Sequence, residues 1–161
     1  MTIHLRPATP ADRDAVVALA RRLADFELPP GRTAGEIARA DVHLFDAQLA
    51  RPADDVLFLV AEEDGTLLGS VFANTRADYF TGAPLAYIEV LAVSESAAGK
   101  GIARQLMQAT EEWAGARGCV RVDLMVFVNN RRARGFYQHL GYREEFLRCV
   151  KDLRGGPQAA R

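Results

Sequence analysis

At 161 residues and 17.6 kDa, the chain has the length of one domain with a real core. Apolar residues make up 49% and charged residues 25%, and the net charge is -1, which excludes global disorder, a collagen-like repeat and charge-driven wrapping of nucleic acid. The two cysteines, Cys119 and Cys149, stand in no CxxC or zinc-type spacing and read as buried packing residues. Met1 to Pro10 contain no apolar stretch of the leader type, and no apolar run reaches bilayer length. A cytoplasmic protein with no membrane segment is the expectation.

In chain order, Ile3 to Arg6 reads as a short strand. Thr9-Pro10-Ala11-Asp12 is a helix start, and Val16, Leu19, Ala20 and Leu23 give that helix one apolar face. Leu28-Pro29-Pro30-Gly31 breaks the chain. Thr33 with Glu36 forms a capping box for a second helix to about Leu49, whose thin apolar face is Ile37, Ala40 and Leu44. Val56 to Ala61 is a strand buried on both faces, Asp64-Gly65 a hairpin turn, and Leu67 to Asn74 the return strand. A loop over residues 79–84 leads to a strand from Leu85 to Val93. Gly99-Lys100-Gly101 opens a strong helix with Ile102, Leu106, Met107, Thr110 and Trp113 on its apolar face, ended by Gly118. Val120 to Val128 alternate as a strand, Asn130 caps a short helix stopped by Gly141, and Tyr142 to about Leu153 form a last strand. The result is one mixed α/β domain over residues 1–154, with 155–161 as a flexible C-terminal tail.

Charge is uneven along this order. Residues 25–64 carry ten acids and three bases, and residues 100–161 carry twelve bases and six acids. Solvated helix faces account for such runs; so do an acidic half that meets a cationic ligand and a basic half that meets an anionic one. His4, His43 and His139 have no metal-ligand spacing, and no metal is expected.

The stretch richest in chemical meaning is the strand followed by Gly99-Lys100-Gly101-Ile102-Ala103 and a helix. Glycines allow close approach of backbone N–H groups, and a helix start offers unpaired donors and a positive dipole end. Together they suit a phosphate or pyrophosphate, although a plain tight turn fits the same residues. Neither a Walker loop nor GxGxxG is present.

About thirty residues on comes Asn130-Arg131-Arg132-Ala133-Arg134-Gly135-Phe136-Tyr137-Gln138-His139-Leu140-Gly141-Tyr142. In this order the two segments resemble the GNAT superfamily of acyl-CoA-dependent N-acetyltransferases, over nearly the whole chain. The resemblance implies a single-domain GNAT fold, a mixed central sheet with splayed strands flanked by helices. It implies acetyl-CoA as cofactor. Backbone amides of Ala98, Gly99, Lys100, Gly101, Ile102 and Ala103 would hold the pyrophosphate, Leu91, Ala92 and Val93 the pantetheine arm, and Asn130 a point near it. Ala98 stands where the family prefers Gln or Arg, so one side-chain contact is lost, with Lys100 and Arg104 as the compensating candidates.

An alkyl amine with a pKa near 10 is mostly protonated at neutral pH, and only its neutral form attacks a thioester. Glu89, the one acid within Leu85 to Val93, is the candidate base; a buried, unpaired carboxylate there needs a raised pKa or a polar cavity. A glutamate pointing to solvent is the competing reading. Tyr137, by resemblance, donates to the departing thiolate. Phe26-Glu27-Leu28-Pro29 together with Glu89 resembles, in fragments, the diamine and polyamine acetyltransferases, and Phe26, Glu27 and Tyr79 are the expected acceptor-side residues. The implied reaction is direct acetyl transfer to a primary amine of a small cationic molecule: a polyamine, an amino acid derivative or an aminoglycoside. The alternatives are acetylation of a protein N-terminus or lysine, and a non-catalytic acyl-CoA sensor. A homodimer, no nucleic acid and no membrane partner complete the expectation.

Overall fold

The computed structural model describes residues 2–153; the tail expected at 155–161 lies outside the described residues. Five strands form one sheet in sequence order: β1 (His4–Pro7), β2 (Val56–Glu63), β3 (Thr66–Ala77), β4 (Pro84–Val93) and β5 (Val122–Leu124). The first four pair antiparallel, and β5 joins β4 in parallel. The helices are α1 (Arg13–Ala20), α2 (Ala34–Ala50), α3 (Ile102–Ala116) and α4 (Arg131–His139).

Local signals place these elements. Thr9 and Asp12 bracket a 3₁₀ turn before α1: the Thr9 N–H and hydroxyl donate to Asp12 Oδ2 at 2.7 and 2.9 Å. Thr33 and Glu36 make the reciprocal box at the start of α2, with bonds of 3.0 and 3.3 Å. Asp64 and Gly65 both have positive φ, as a two-residue hairpin turn demands.

The sheet divides two cores. On one face Val16, Leu19 and Ala20 of α1 and Phe45 of α2 cover Phe58, Val60, Phe72, Val90 and Ala92. On the other, Ile102, Leu106 and Met107 of α3 cover Val71, Ala73 and Ile88, with Phe136, Tyr137 and Leu140 of α4 at the margin.

Four expectations change. The face that α2 buries is Asp41 and Phe45, while Ala40 is exposed; Phe45 stacks on Phe58 at 5.0 Å, and that contact sets the helix rotation. The strand expected over Val120 to Val128 shrinks to β5. Tyr142 to Leu153 form no strand: the segment finds no partner edge, and Phe146, Leu147, Val150 and Leu153 stay exposed. Finally, Cys149 is exposed and Cys119 half-buried, so neither is a core residue; both are free thiols.

Asp41 is 8% exposed, and its Oδ2 has no hydrogen-bond partner. Burial pushes its carboxyl up from 3.8 to about 6. Because the folded pKa exceeds the unfolded one, this group's contribution is fully present below the unfolded value and lost as pH rises through the folded value. Asp41→Asn should therefore raise the melting temperature at pH about 7.5 and change it little at pH about 4. Equal shifts at both pH values would show that Asp41 titrates as an ordinary exposed acid.

Candidate active site

β4 departs from a regular ladder at one residue. Phe72 of β3 lies opposite Val90, and the next residue, Ala73, lies opposite Ile88. Glu89 is left without a partner, the mark of a β-bulge. The pairing with β5 covers only Ala86, Tyr87 and Ile88. From Glu89 onward β4 therefore has β3 on one side and an unpaired edge on the other. Leu91, Ala92 and Val93 lie on this free stretch, where an extended chain bearing amides can add as a strand does. Arg22 Nε donates to the Val93 carbonyl at 3.0 Å, tying the turn after α1 to the end of β4.

Glu89 points neither to bulk solvent nor to an empty cavity. Its side chain is one-fifth exposed (20%), ion-paired with Arg76, and its Oε1 accepts from Asn74 Nδ2 at 3.1 Å. The need for a partner is thus met by an arginine, and the premise of an unpaired carboxylate does not hold.

Beyond β4, Gly99 and Gly101 adopt left-handed φ values of 80° and 76°. A Cβ at either would meet no heavy atom within 4 Å, so the loop faces open space. No side chain caps α3, unlike α2 and α4, and the N–H groups of its first turn remain available. This fits a group bearing several anionic oxygens. Ile102 is buried, so only its backbone can serve such a group, and the N–H groups of Ala98 and Lys100 are already given to the Glu95 and Ala97 carbonyls at 3.0 and 3.2 Å. Ala98 is exposed and offers no polar side chain; Lys100 Nζ lies 3.7 Å from Glu63, and Arg104 is exposed.

The segment after β5 turns away from β4 and enters α4. Asn130 caps that helix, its Oδ1 accepting from the Ala133 N–H at 3.1 Å. Tyr137 packs at the margin of the core that Leu91 and Val93 also border, its ring 5.3 Å from Phe136 and 6.0 Å from Tyr142. Burial pushes its phenol up to about 12. Tyr142 donates to Glu111 at 2.9 Å.

The acceptor-side candidates separate. Phe26 packs on Phe127 at 5.5 Å, and the Glu27 carbonyl accepts from Asn129, so the α1–α2 connection meets the β5–α4 connection. Tyr79 lies apart, 92% exposed on the β3–β4 loop with its ring against Phe80 at 5.2 Å. Asn74 and Arg76, which contact Glu89, and Tyr87, over whose ring Arg76 lies, fall outside the residues expected from the sequence. The return strand was expected to end at Asn74, whereas it continues to Ala77; a polar residue at every second position of its end was the available signal.

The uneven charge is internal only in part. Asp25 and Glu95 approach Arg22, Asp46 pairs with Arg13, and Glu62 with Arg6; Arg121 engages Asp78, Asp123 and Glu145, and Arg134 engages Glu144. Among the described residues no group of His, Cys, Asp and Glu side chains converges as a metal site, and no helix is long and apolar enough to cross a membrane.

A bulged strand with a free edge, followed by an uncapped glycine turn into a helix, is the arrangement that the resemblance to the GNAT superfamily implies, and comparison with known proteins agrees. The sequence model of the acetyltransferase (GNAT) family matches residues 20–142. Aminoglycoside N(6')-acetyltransferase type 1 of Salmonella typhimurium is 30% identical over 107 residues, 65% of this chain and 74% of that one. An acetyltransferase of Pectobacterium atrosepticum is 38% identical over 97 residues, 60% of this chain and 63% of that one. Among solved structures, a putative acetyltransferase of Pyrococcus furiosus superposes with a TM-score of 0.76 at 25% identity, covering 94% of this chain and 100% of that one. AAC(6')-Iy in complex with a bisubstrate analogue does so at 0.72 and 24%, covering 94% and 99%; at that identity it speaks to the fold alone. The chain belongs to the acetyltransferase (GNAT) family. It is an acetyltransferase that takes its acetyl group from acetyl-CoA.

Proposed function

We propose that the protein acetylates a primary amine of a small cationic molecule, of the aminoglycoside, polyamine or amino acid derivative type, by direct transfer. The observation that carries this reading is the position of Glu89, a carboxylate on the bulge where the free edge of β4 begins. The named activity of the Salmonella relative supports the acceptor class.

When bound, acetyl-CoA supplies the acetyl thioester. Leu91, Ala92 and Val93 would hold its arm along the free edge, and the backbone amides of Gly99, Gly101, Ile102 and Ala103 would hold its pyrophosphate; those expected from Ala98 and Lys100 are already given to the Glu95 and Ala97 carbonyls. Asn130 Oδ1 is engaged as a cap, so contact with the cofactor falls to its amide nitrogen. Glu89 takes one proton from the ammonium, and the free amine attacks. Overall, a protonated amine and acetyl-CoA give the amide, free thiol and one proton. A phenol near 12 stays protonated at neutral pH, but it is a weaker acid than a thiol of about 8.5. Tyr137 therefore acts by donating a hydrogen bond to the developing thiolate, and outright transfer of its proton would run uphill.

Tyr137→Phe removes that bond. Turnover should fall about ten- to a thousandfold, with acetyl-CoA affinity retained. Unchanged turnover would make Tyr137 a packing residue. The acceptor class is tested by following thiol release from acetyl-CoA over aminoglycosides, polyamines, amino acid derivatives and peptides. Turnover confined to peptide N-termini or lysines would replace this reading with protein acetylation. A cytoplasmic enzyme and a homodimer belong to the same proposal; sedimentation tests the latter.

A further inference from the structure

The carboxylate assigned to the acceptor side already holds a cation, and that cation belongs to the chain. Arg76 Nη2 contacts Glu89 Oε1, and Asn74 Nδ2 donates to the same oxygen. The Arg76 guanidinium carbon also lies 4.0 Å from the centroid of the Tyr87 ring, over its face. A carboxylate oxygen beside an aromatic face is the pair of features that recognises an organic cation. A third acceptor stands next to them: Asn74 Oδ1 is buried with no hydrogen-bond partner, an unmet need that an incoming N–H group answers. A guanidinium that is 45% exposed stabilises a fold only slightly by such a pair, so stability alone accounts poorly for placing it here.

We propose that Arg76 sets the affinity of the acceptor site: its guanidinium fills an ammonium subsite formed by Glu89, Asn74 and Tyr87, and a cationic acceptor binds by exchanging with it. This rests on the reading of Glu89 as the acceptor-side carboxylate. The exchange has room to occur. Arg76 is exposed along its outer edge, and a surface hollow lined by Thr75, Arg76, Ala77, Gly82 and Pro84 opens beside it, so the displaced side chain turns into water. A tethered cation competes with every acceptor at fixed effective concentration. It therefore weakens every acceptor that needs the subsite by the same factor, and only acceptors whose further positive or hydrogen-bonding groups add affinity elsewhere stay bound at low concentration.

The test compares wild type with Arg76→Met and Arg76→Lys, with Arg76→Ala as a further variant should the methionine protein melt early. Calorimetry on the CoA-bound protein measures the affinity of spermidine and of n-butylamine, and methylguanidinium serves as a soluble replacement for the lost side chain. The uncharged variant should bind spermidine about three- to tenfold more tightly, with KM falling by a larger factor than kcat changes. n-Butylamine should tighten by the same factor, so the ratio of the two affinities should stay unchanged. Millimolar methylguanidinium should compete with amine in this variant and not in wild type, and Arg76→Lys should behave as wild type. Equal or weaker amine binding, with no effect of methylguanidinium, would overturn the proposal and leave Arg76 as a brace for the bulge. Amine binding that tightens in Arg76→Met without acetylation of any amine by either protein would uphold the cation subsite and refute the acetyl acceptor class instead.

Discussion

Glu89→Gln should leave an enzyme that folds and binds acetyl-CoA but turns over about a hundredfold or more slowly near neutral pH. The two side chains are nearly isosteric, and Gln retains an oxygen to accept from Asn74 and Arg76, so the bulge keeps its neighbours. What disappears is the group proposed to take the ammonium proton. Raising the pH supplies neutral amine from solution, and the deficit should shrink toward pH about 10. A weakly basic aromatic amine should suffer less at every pH. Two results would sink the assignment. A pH–rate profile that only scales down would make Glu89 a binding charge. Full activity would remove it from the site and turn attention to Glu27, whose carbonyl is held by Asn129.

Gly101→Glu should abolish measurable acetyl-CoA binding. Gly101 is the cap residue of α3, and the substitution sets a carboxylate at the end of the helix where anionic oxygens are expected. It also forces a side chain into left-handed backbone, which costs about 1–2 kcal/mol. Gly101→Asn separates the two effects, because Asn tolerates that conformation and carries no charge. Calorimetry should find the Asn variant binding and the Glu variant silent, with the Glu variant melting a few degrees lower but still folded at the binding temperature. If the Glu variant binds as wild type does, the pyrophosphate lies elsewhere.

Much of the fold was legible because its signals are local. The Thr33–Glu36 box, the Asp64-Gly65 turn and the Gly99–Gly101 helix entry depend on residues within a few positions of one another, and each formed as read. The misreadings share a different cause. Val120 to Val128 and Tyr142 to Leu153 have strand-like composition, but a strand exists only where an edge receives it. β4 offers β5 three residues before the bulge, and residues 125–128 then have no neighbour to pair with. Of the candidate residues, Glu89 and Tyr137 stand out in the sequence as a lone acid in an apolar run and as part of a motif. Arg76 did not, because its meaning comes from a partner thirteen residues away across a hairpin. Asp41 was hidden similarly: an acid reads as surface until Phe45 fixes the helix rotation that buries it.

The bulge at Glu89 has a bearing on how this enzyme can vary. Ile88 enters the α3 core, and Val90 and Ala92 enter the α1–α2 core, so even-numbered residues point to opposite layers before and after position 89. Deleting Glu89 would restore a regular ladder opposite Phe72 and Ala73 and at the same time remove the carboxylate. Inserting a residue nearby would send Val90 and Ala92 out of the core they fill. Insertion in this strand is thus barred by packing, and deletion of Glu89 by the loss of the carboxylate proposed as the base. The β3–β4 loop at Tyr79 and Phe80, exposed and outside both cores, carries no such constraint and is where insertions should accumulate.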